Sequence, residues 1–212
     1  MPNELQGKRV AALVDQGFEQ IELLEPKGAL EAAGARVDVI SPQAGTVRGW
    51  NHTEWGDNVR VDRSLTDAMP NDYDALLLPG GVMNPDHLRM NEQAVRFVKQ
   101  MFDDGKPIAA ICHGPWTLAE AGVIRGVRMT SFPSIKTDLK NAGAQWVDEE
   151  VVVDRGIVSS RKPDDIPAFN QKMIEEFKEG RHGGAGRRTA ADARGVPSGA
   201  EKREPARART RA

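Results

Sequence analysis

The sequence predicts an α/β fold in which a mostly parallel sheet lies between layers of helices. Short apolar segments typical of buried strands alternate with segments of helical periodicity along the chain. Two of the apolar segments, 74–78 (DALLL) and 107–111 (PIAAI), stop at turn-forming residues: Pro79-Gly80-Gly81 and Cys112. Alternating strands and helices favour a parallel sheet covered on both faces. Functional sites in such sheets lie beyond the carboxyl ends of the strands, so these two turns are expected to meet in space.

The individual elements follow from the same periodicities. Strands are expected at 8–14, 36–40, 74–78, 107–111 and 127–131, and a hairpin at 151–159 turns through Asp154-Arg155-Gly156. Residues 51–64 are polar, and a short strand at 59–61 is expected in a hairpin near a sheet edge. Helices are expected at 21–33, 92–102, 117–121, 135–142 and 166–177. Four of them end near a glycine, which is typical of helix C-termini.

Length and composition fit one α/β domain. The chain has 212 residues, with 39% hydrophobic and 28% charged residues, which is ordinary for a soluble globular protein. No apolar run approaches the ~20 residues of a membrane-spanning helix, and the N-terminus lacks a secretory signal pattern. A single cysteine excludes an internal disulfide and fits a reducing compartment. We therefore expect a cytoplasmic protein without membrane contact.

Charge divides the chain into two parts. The net charge of −2 combines an acidic body with a basic segment rich in Gly, Ala and Arg at the C-terminus. We expect residues 1–179 to form the domain and residues 180–212 to be a disordered basic tail, because the tail has few large apolar side chains to bury. The acidic body argues against nucleic acid as the main partner. A weak electrostatic role of the tail stays open as an alternative.

Cys112 is the strongest candidate for chemistry. It ends a buried strand and is followed by His113-Gly114-Pro115 and a helix, which is the layout of a nucleophile elbow. Small neighbours suit such a tight turn, and proline suits the first turn of a helix. A helix N-terminus is expected to lower the pKa of the thiol and so favour the thiolate. The alternative interpretation is a buried, inert cysteine.

Two neighbouring features extend this site. His113 is a candidate general base or acid, or the partner of a thiolate ion pair. The backbone amides of Gly81 and His113 are candidates for an oxyanion hole, the alternative at Gly80-Gly81 being a plain turn. No metal site and no cofactor are expected, because the other histidines show no metal-ligand spacing with acids or with the cysteine (His52, His87 and His182).

Several segments resemble one known family. They are ALLLPGG (75–81), KPIAAICHGP (106–115), NAGAQWVD (141–148), EVVVD (150–154) and SSRKPDD (159–165). They are similar to the PfpI, or intracellular-protease-I-like, family. That family belongs to the superfamily of the parkinsonism-associated deglycase and the class-I glutamine amidotransferases. The resemblance runs from about residue 8 to about residue 177. It implies a flavodoxin-like, doubly wound fold.

The resemblance also implies roles for particular residues. Cys112 matches the nucleophile, and Glu19 matches the acidic residue that hydrogen-bonds the sulfur. A glutamate beside a thiolate is expected to have a raised pKa and to be able to donate a hydrogen bond. Asp86 matches the third acid of a triad with His113, an acid that reaches the histidine from a neighbouring subunit. The site would then be complete only in a homo-oligomer, at least a dimer.

Three functions follow from the resemblance. The first is a stress-response hydrolase or lyase that acts on small reactive carbonyl compounds such as methylglyoxal, or on their early glycation adducts. The second is a cysteine peptidase that uses Cys112, His113 and Asp86 on peptides. The third is a redox sensor in which Cys112 is oxidised to a sulfinic acid that Glu19 stabilises. The residues alone do not separate them, since each function needs the same reactive sulfur.

Overall fold

A computed structural model describes residues 3–183 of the chain. The strands are β1 (Arg9–Leu13), β2 (Phe18–Glu19), β3 (Arg36–Ser41), β4 (Thr46–Asn51), β5 (Glu54–Arg60), β6 (Arg63–Ser64), β7 (Ala75–Leu78), β8 (Ile108–Ile111), β9 (Arg128–Met129), β10 (Gln145–Trp146), β11 (Val151–Asp154) and β12 (Ile157–Ser160). The α-helices are α1 (Gln20–Ala32), α2 (Met83–Met90), α3 (Glu92–Asp103), α4 (Pro115–Glu120), α5 (Lys136–Asn141) and α6 (Ile166–Glu179). None of the described helices combines the length and apolarity needed to cross a membrane.

The central sheet has seven strands in the order β11-β12-β8-β7-β1-β3-β6. Every neighbouring pair is parallel except the β11–β12 hairpin at one edge. All residues of β7 and β8 are buried, as expected for strands with helices on both faces. A smaller sheet pairs β2, β4 and β5, and β9 pairs with β10. The prediction of a mostly parallel sheet between helices is confirmed.

Two apolar cores cover the two faces of the sheet. Alternate residues of each central strand point to opposite faces, so in β8 Ile108 and Ala110 belong to one core, and Ala109 and Ile111 to the other. Helices α2 to α5 contribute to the first core, and α1 and α6 to the second. The apolar runs that predict strands in the sequence are therefore runs that bury side chains on both sides.

Two local predictions differ from the structure. Helix α2 is not among the helices expected from the sequence. Pro85 lies in its first turn, where its missing N–H costs little. The buried Asn84 side chain fixes this turn by accepting from the Asp15 N–H and donating to the carbonyls of Pro79 and Gly80. The hairpin predicted around 59–61 is longer, since β5 is joined to β4.

The predicted boundary between the domain and the tail lies within the described residues. The first residues of the predicted tail 180–212 are described up to residue 183, and His182 donates its backbone N–H to the Gly105 carbonyl at 2.8 Å. This contact places His182 beside the amino end of β8, at the edge opposite Cys112. Residues 184–212, the rest of the predicted tail, lie outside the described residues.

Candidate active site

Cys112 lies in a sharp turn between β8 and α4. Its φ of +61° is in the left-handed region, which costs a non-glycine residue about 1–2 kcal/mol. Backbone hydrogen bonds hold this conformation, because the Cys112 N–H donates to Ser160 at 3.0 Å and its carbonyl accepts from Phe132 at 2.9 Å. The side chain is 7% exposed. The predicted elbow geometry is therefore present, with a sulfur that is almost enclosed.

Two glycines keep the space around the elbow free. A Cβ added at Gly80 would lie 2.6 Å from the Cys112 Cβ and even closer to the Glu22 carboxylate. A Cβ added at Gly114 would lie 2.5 Å from the Leu78 carbonyl oxygen. Neither position can hold a larger side chain without moving the backbone that carries Cys112. The glycines predicted from turn chemistry are thus required by close packing between β7 and β8.

Glu22, and not Glu19, supplies the carboxyl group beside the sulfur. Glu22 is fully buried, its carboxyl group lies beside the Cys112 side chain, and it accepts the Gly80 N–H at 2.9 Å. Glu19 pairs through β2 with Trp50 of β4, and its carboxylate faces the His52 N–H at 3.5 Å. The predicted contact between Glu19 and the sulfur is therefore wrong. The physical reason is that Glu19 precedes the first turn of α1, and that turn directs the side chain three residues later towards the sheet.

Burial dominates the electrostatics of the Glu22–Cys112 pair. Burial raises the pKa of the Glu22 carboxyl to about 8; the hydrogen bond with Cys112 lowers it and the nearby Glu19 charge raises it. Burial also raises the pKa of the Cys112 thiol, and Glu22 raises it further. The lowering of the Cys112 pKa that was expected from the helix N-terminus is therefore outweighed by burial. Because a negative Glu22 opposes the thiolate, Cys112 ionises most readily while Glu22 keeps its proton and can donate it to the sulfur.

Backbone amides also face the sulfur. The N–H groups of Gly81 and His113 hydrogen-bond Cys112 and act to lower the pKa of its thiol. Gly81 has a φ of +78°, and a Cβ there would lie 2.5 Å from the Gly17 carbonyl oxygen. This conformation, reserved for glycine, aims its amide at the site. Both amides that the sequence suggests as an oxyanion hole thus lie near Cys112, and their role as an oxyanion hole stays a prediction.

The His113 imidazole also contacts the sulfur. Its Nδ1 is 3.2 Å from the Cys112 Sγ, and its Nε2 is 3.0 Å from the Ser134 Oγ. The ring stacks on Phe132 with centroids 4.9 Å apart and meets Trp116 edge-on at 5.3 Å. Burial lowers the pKa of His113, which favours the neutral ring. Ser134 was not predicted, because it lies 21 residues away and no motif links it to the histidine.

Asp86 is not brought to His113 within the described chain. Its carboxylate binds Arg89 on the same helix at 2.6 Å. The Arg89 guanidinium lies 4.5 Å above the Trp116 ring, and Trp116 contacts His113. Asp86 is therefore linked to the site only through two intervening side chains. Its role as a triad acid from a neighbouring copy stays a prediction.

One cluster could hold a metal ion, and it lies away from Cys112. The side chains of Glu176, Glu179 and His182 place one ligand atom each within 4.8 Å of one another at the end of α6. Sequence spacing alone does not indicate this cluster, because Gly180, with a φ of +84°, turns the chain back over the helix and so brings His182 to Glu176. Glu176 and His182 already contact each other at 2.6 Å. No group of this kind includes Cys112 among the described residues.

Comparison with known proteins shows the family of this chain. Residues 8–176 match the DJ-1/PfpI family. The chain belongs to the DJ-1/PfpI family. Deglycase PYRAB04690 of Pyrococcus abyssi is 45% identical over 170 residues, which cover 80% of this chain and 99% of that protein. Protein/nucleic acid deglycase 2 of Escherichia coli is 44% identical, covering 79% and 96%.

Two further proteins are similar to this chain. The putative cysteine protease YraA of Bacillus subtilis is 42% identical, and the match covers 81% of this chain and 99% of that protein. The crystal structure of Drosophila melanogaster DJ-1beta superposes with a TM-score of 0.73 at 28% identity, covering 85% of this chain and 91% of that one. The flavodoxin-like fold expected from the resemblance is confirmed, and relatives carry the names of both deglycases and a protease.

Proposed function

We propose that this DJ-1/PfpI protein is a cysteine-dependent enzyme that acts on small reactive aldehydes such as methylglyoxal, or on their early glycation adducts. The observation that carries the proposal is the burial of the Glu22 carboxyl group beside the Cys112 side chain at Gly80, which puts a protonatable group next to a nucleophile. The names of its relatives as deglycases support the same substrate class.

The addition step uses groups that already surround the sulfur. The Cys112 thiolate attacks the aldehyde carbon, so that a C–S bond forms and the π electrons of the carbonyl move to its oxygen. The amides of Gly81 and His113 stabilise that oxyanion, and Glu22 then delivers its proton to give a neutral hemithioacetal. Glu22 suits this step because burial holds the pKa of its carboxyl at about 8, so it carries a proton at neutral pH.

His113 is the second proton carrier in the proposal. Since burial favours its neutral form, Nδ1 can take the proton from the Cys112 thiol when the site is empty and return it later. The stacked Phe132 ring and the edge of Trp116 hold the imidazole in place during these transfers. Glu22 therefore takes the place beside the sulfur that the family resemblance implied for Glu19.

The test compares wild type with Cys112→Ala and Glu22→Gln on methylglyoxal and on casein, each protein purified and its oligomeric state measured. We expect Cys112→Ala to abolish methylglyoxal loss, and Glu22→Gln to lower it about 100-fold or more, the usual contribution of a general acid. Glu19→Gln is the matched control, three residues earlier in the chain and without the sulfur contact. Methylglyoxal loss that persists in Cys112→Ala would overturn the proposal.

Casein cleavage that depends on Cys112, without methylglyoxal loss, would favour the peptidase. The name of the Bacillus subtilis relative supports this second candidate. The described site offers His113 a serine in place of a triad acid, so a peptidase would need Asp86 from another copy. We infer a homo-oligomer of at least two chains on that ground, and a reducing compartment such as the cytoplasm, because the only cysteine has to remain reduced.

A further inference from the structure

The imidazole of His113 is held by the segment that follows β9. This segment is tied to the elbow, because the Phe132 N–H donates to the Cys112 carbonyl at 2.9 Å. The Phe132 ring then stacks on the imidazole, and a short 3-10 helix, Pro133–Ile135, places the Ser134 Oγ 3.0 Å from Nε2. The three contacts come from consecutive parts of one segment. Its position fixes both the plane of the ring and the group that Nε2 meets.

The Ser134 hydroxyl suits a histidine that takes up and releases a proton. When Nδ1 of the neutral ring accepts from the thiol, the single N–H lies on Nε2, which donates to the hydroxyl; once Nδ1 has taken the thiol proton, both nitrogens carry an N–H and Nε2 still donates. The hydroxyl oxygen can accept this N–H before and after the proton transfer without moving. A carboxylate can only accept, and would favour the positively charged ring.

We propose that Ser134 is a positioning residue for His113: the Ser134 hydroxyl accepts from Nε2 and so presents Nδ1 to the Cys112 sulfur. The site of one chain then works as a Cys112–His113–Ser134 array. The carboxyl group that the same chain places beside the sulfur is Glu22. This inference rests on the proposed function, which requires a reactive Cys112, and it adds a residue that sets that reactivity.

Alkylation by iodoacetamide tests the inference without any aldehyde substrate. Cys112 is the only cysteine, so mass spectrometry of the intact protein follows a single site. We expect Ser134→Ala to slow alkylation about 5-fold, the effect of one hydrogen bond, and Ser134→Thr to stay close to wild type because it keeps the hydroxyl. Ser64→Ala, which removes a hydrogen-bonded hydroxyl from β6 at the far edge of the sheet, is the matched control and should leave the rate unchanged.

A double-mutant cycle separates positioning from general loosening of the segment. In a His113→Ala background, Ser134→Ala should have no further effect on the alkylation rate, because the hydroxyl has no ring to hold. The inference is overturned if Ser134→Ala slows alkylation equally with and without His113. It is also overturned if His113→Ala slows alkylation and Ser134→Ala does not. Methylglyoxal turnover is measured in the same proteins. A protein that fails to consume methylglyoxal but shows the predicted alkylation pattern would refute the aldehyde reaction and leave the role of Ser134 standing.

Discussion

Replacing Glu22 by glutamine should change how the stability of the protein depends on pH. The carboxyl group is fully buried, and burial raises its pKa from 4.5 to about 8. A group that binds its proton more tightly in the folded state stabilises that state fully below pH 4.5, and this contribution is lost as the pH rises to about 8. The shift corresponds to about 5 kcal/mol over the whole window. Glutamine has a similar shape and no charge, so the variant should lack this loss.

Urea unfolding at pH 5, 6, 7 and 8, at one fixed protein concentration, measures the effect. We expect the free energy of unfolding of wild type, relative to Glu22→Gln, to fall by about 3–4 kcal/mol between pH 5 and pH 8. Glu19→Gln is the matched control and should keep most of the wild-type pH dependence, because burial, and not the Glu19 charge, is the largest cause of the raised Glu22 pKa. A difference between wild type and Glu22→Gln that stays constant within about 1 kcal/mol across this range would refute the buried, protonated Glu22.

Three further substitutions test the packing and the backbone. Gly80→Ala should lower the free energy of unfolding by about 1–3 kcal/mol and slow alkylation of Cys112, since the new Cβ meets the Cys112 Cβ and the Glu22 carboxylate; urea unfolding without that loss would contradict the close approach. Phe169→Ala, on the buried face of α6, should lower the free energy of unfolding by about 3–5 kcal/mol in the same assay, and a decrease below about 1 kcal/mol would contradict that burial. Arg155→Asn should raise the melting temperature slightly, because Arg155 has a φ of +50° in the β11–β12 turn and asparagine tolerates that region better; a lower melting temperature would show that the arginine side chain stabilises the turn.

Short-range patterns account for the parts that the sequence predicted. The strands β7 and β8 are apolar throughout because both faces are buried, and their ends are marked by Gly80-Gly81 and Cys112. A parallel sheet brings the carboxyl ends of neighbouring strands together whatever the intervening loops do. The meeting of the glycine turn and the elbow could therefore be predicted without coordinates.

Choices between similar residues could not be predicted in the same way. Glu19 and Glu22 lie three residues apart on the entry to α1, and both precede or begin the same helix. Only the docking of that helix on the sheet decides which carboxyl group is buried and which faces the hairpin. The family resemblance placed an acid in this segment and selected the wrong one of the two.

The amino-acid sequence by itself determined the fold class, the elbow and the position of Cys112 in it, because these depend on periodicity and on turn chemistry within a few residues. The tertiary structure alone decided the partners of the sulfur and of His113. Glu22 and Ser134 come from segments far from Cys112 in the chain, and their contacts exist only once both cores have packed against the sheet. The direction of the pKa shifts of Cys112 and Glu22 was decided there too, since burial is a property of the packed chain and not of its order of residues.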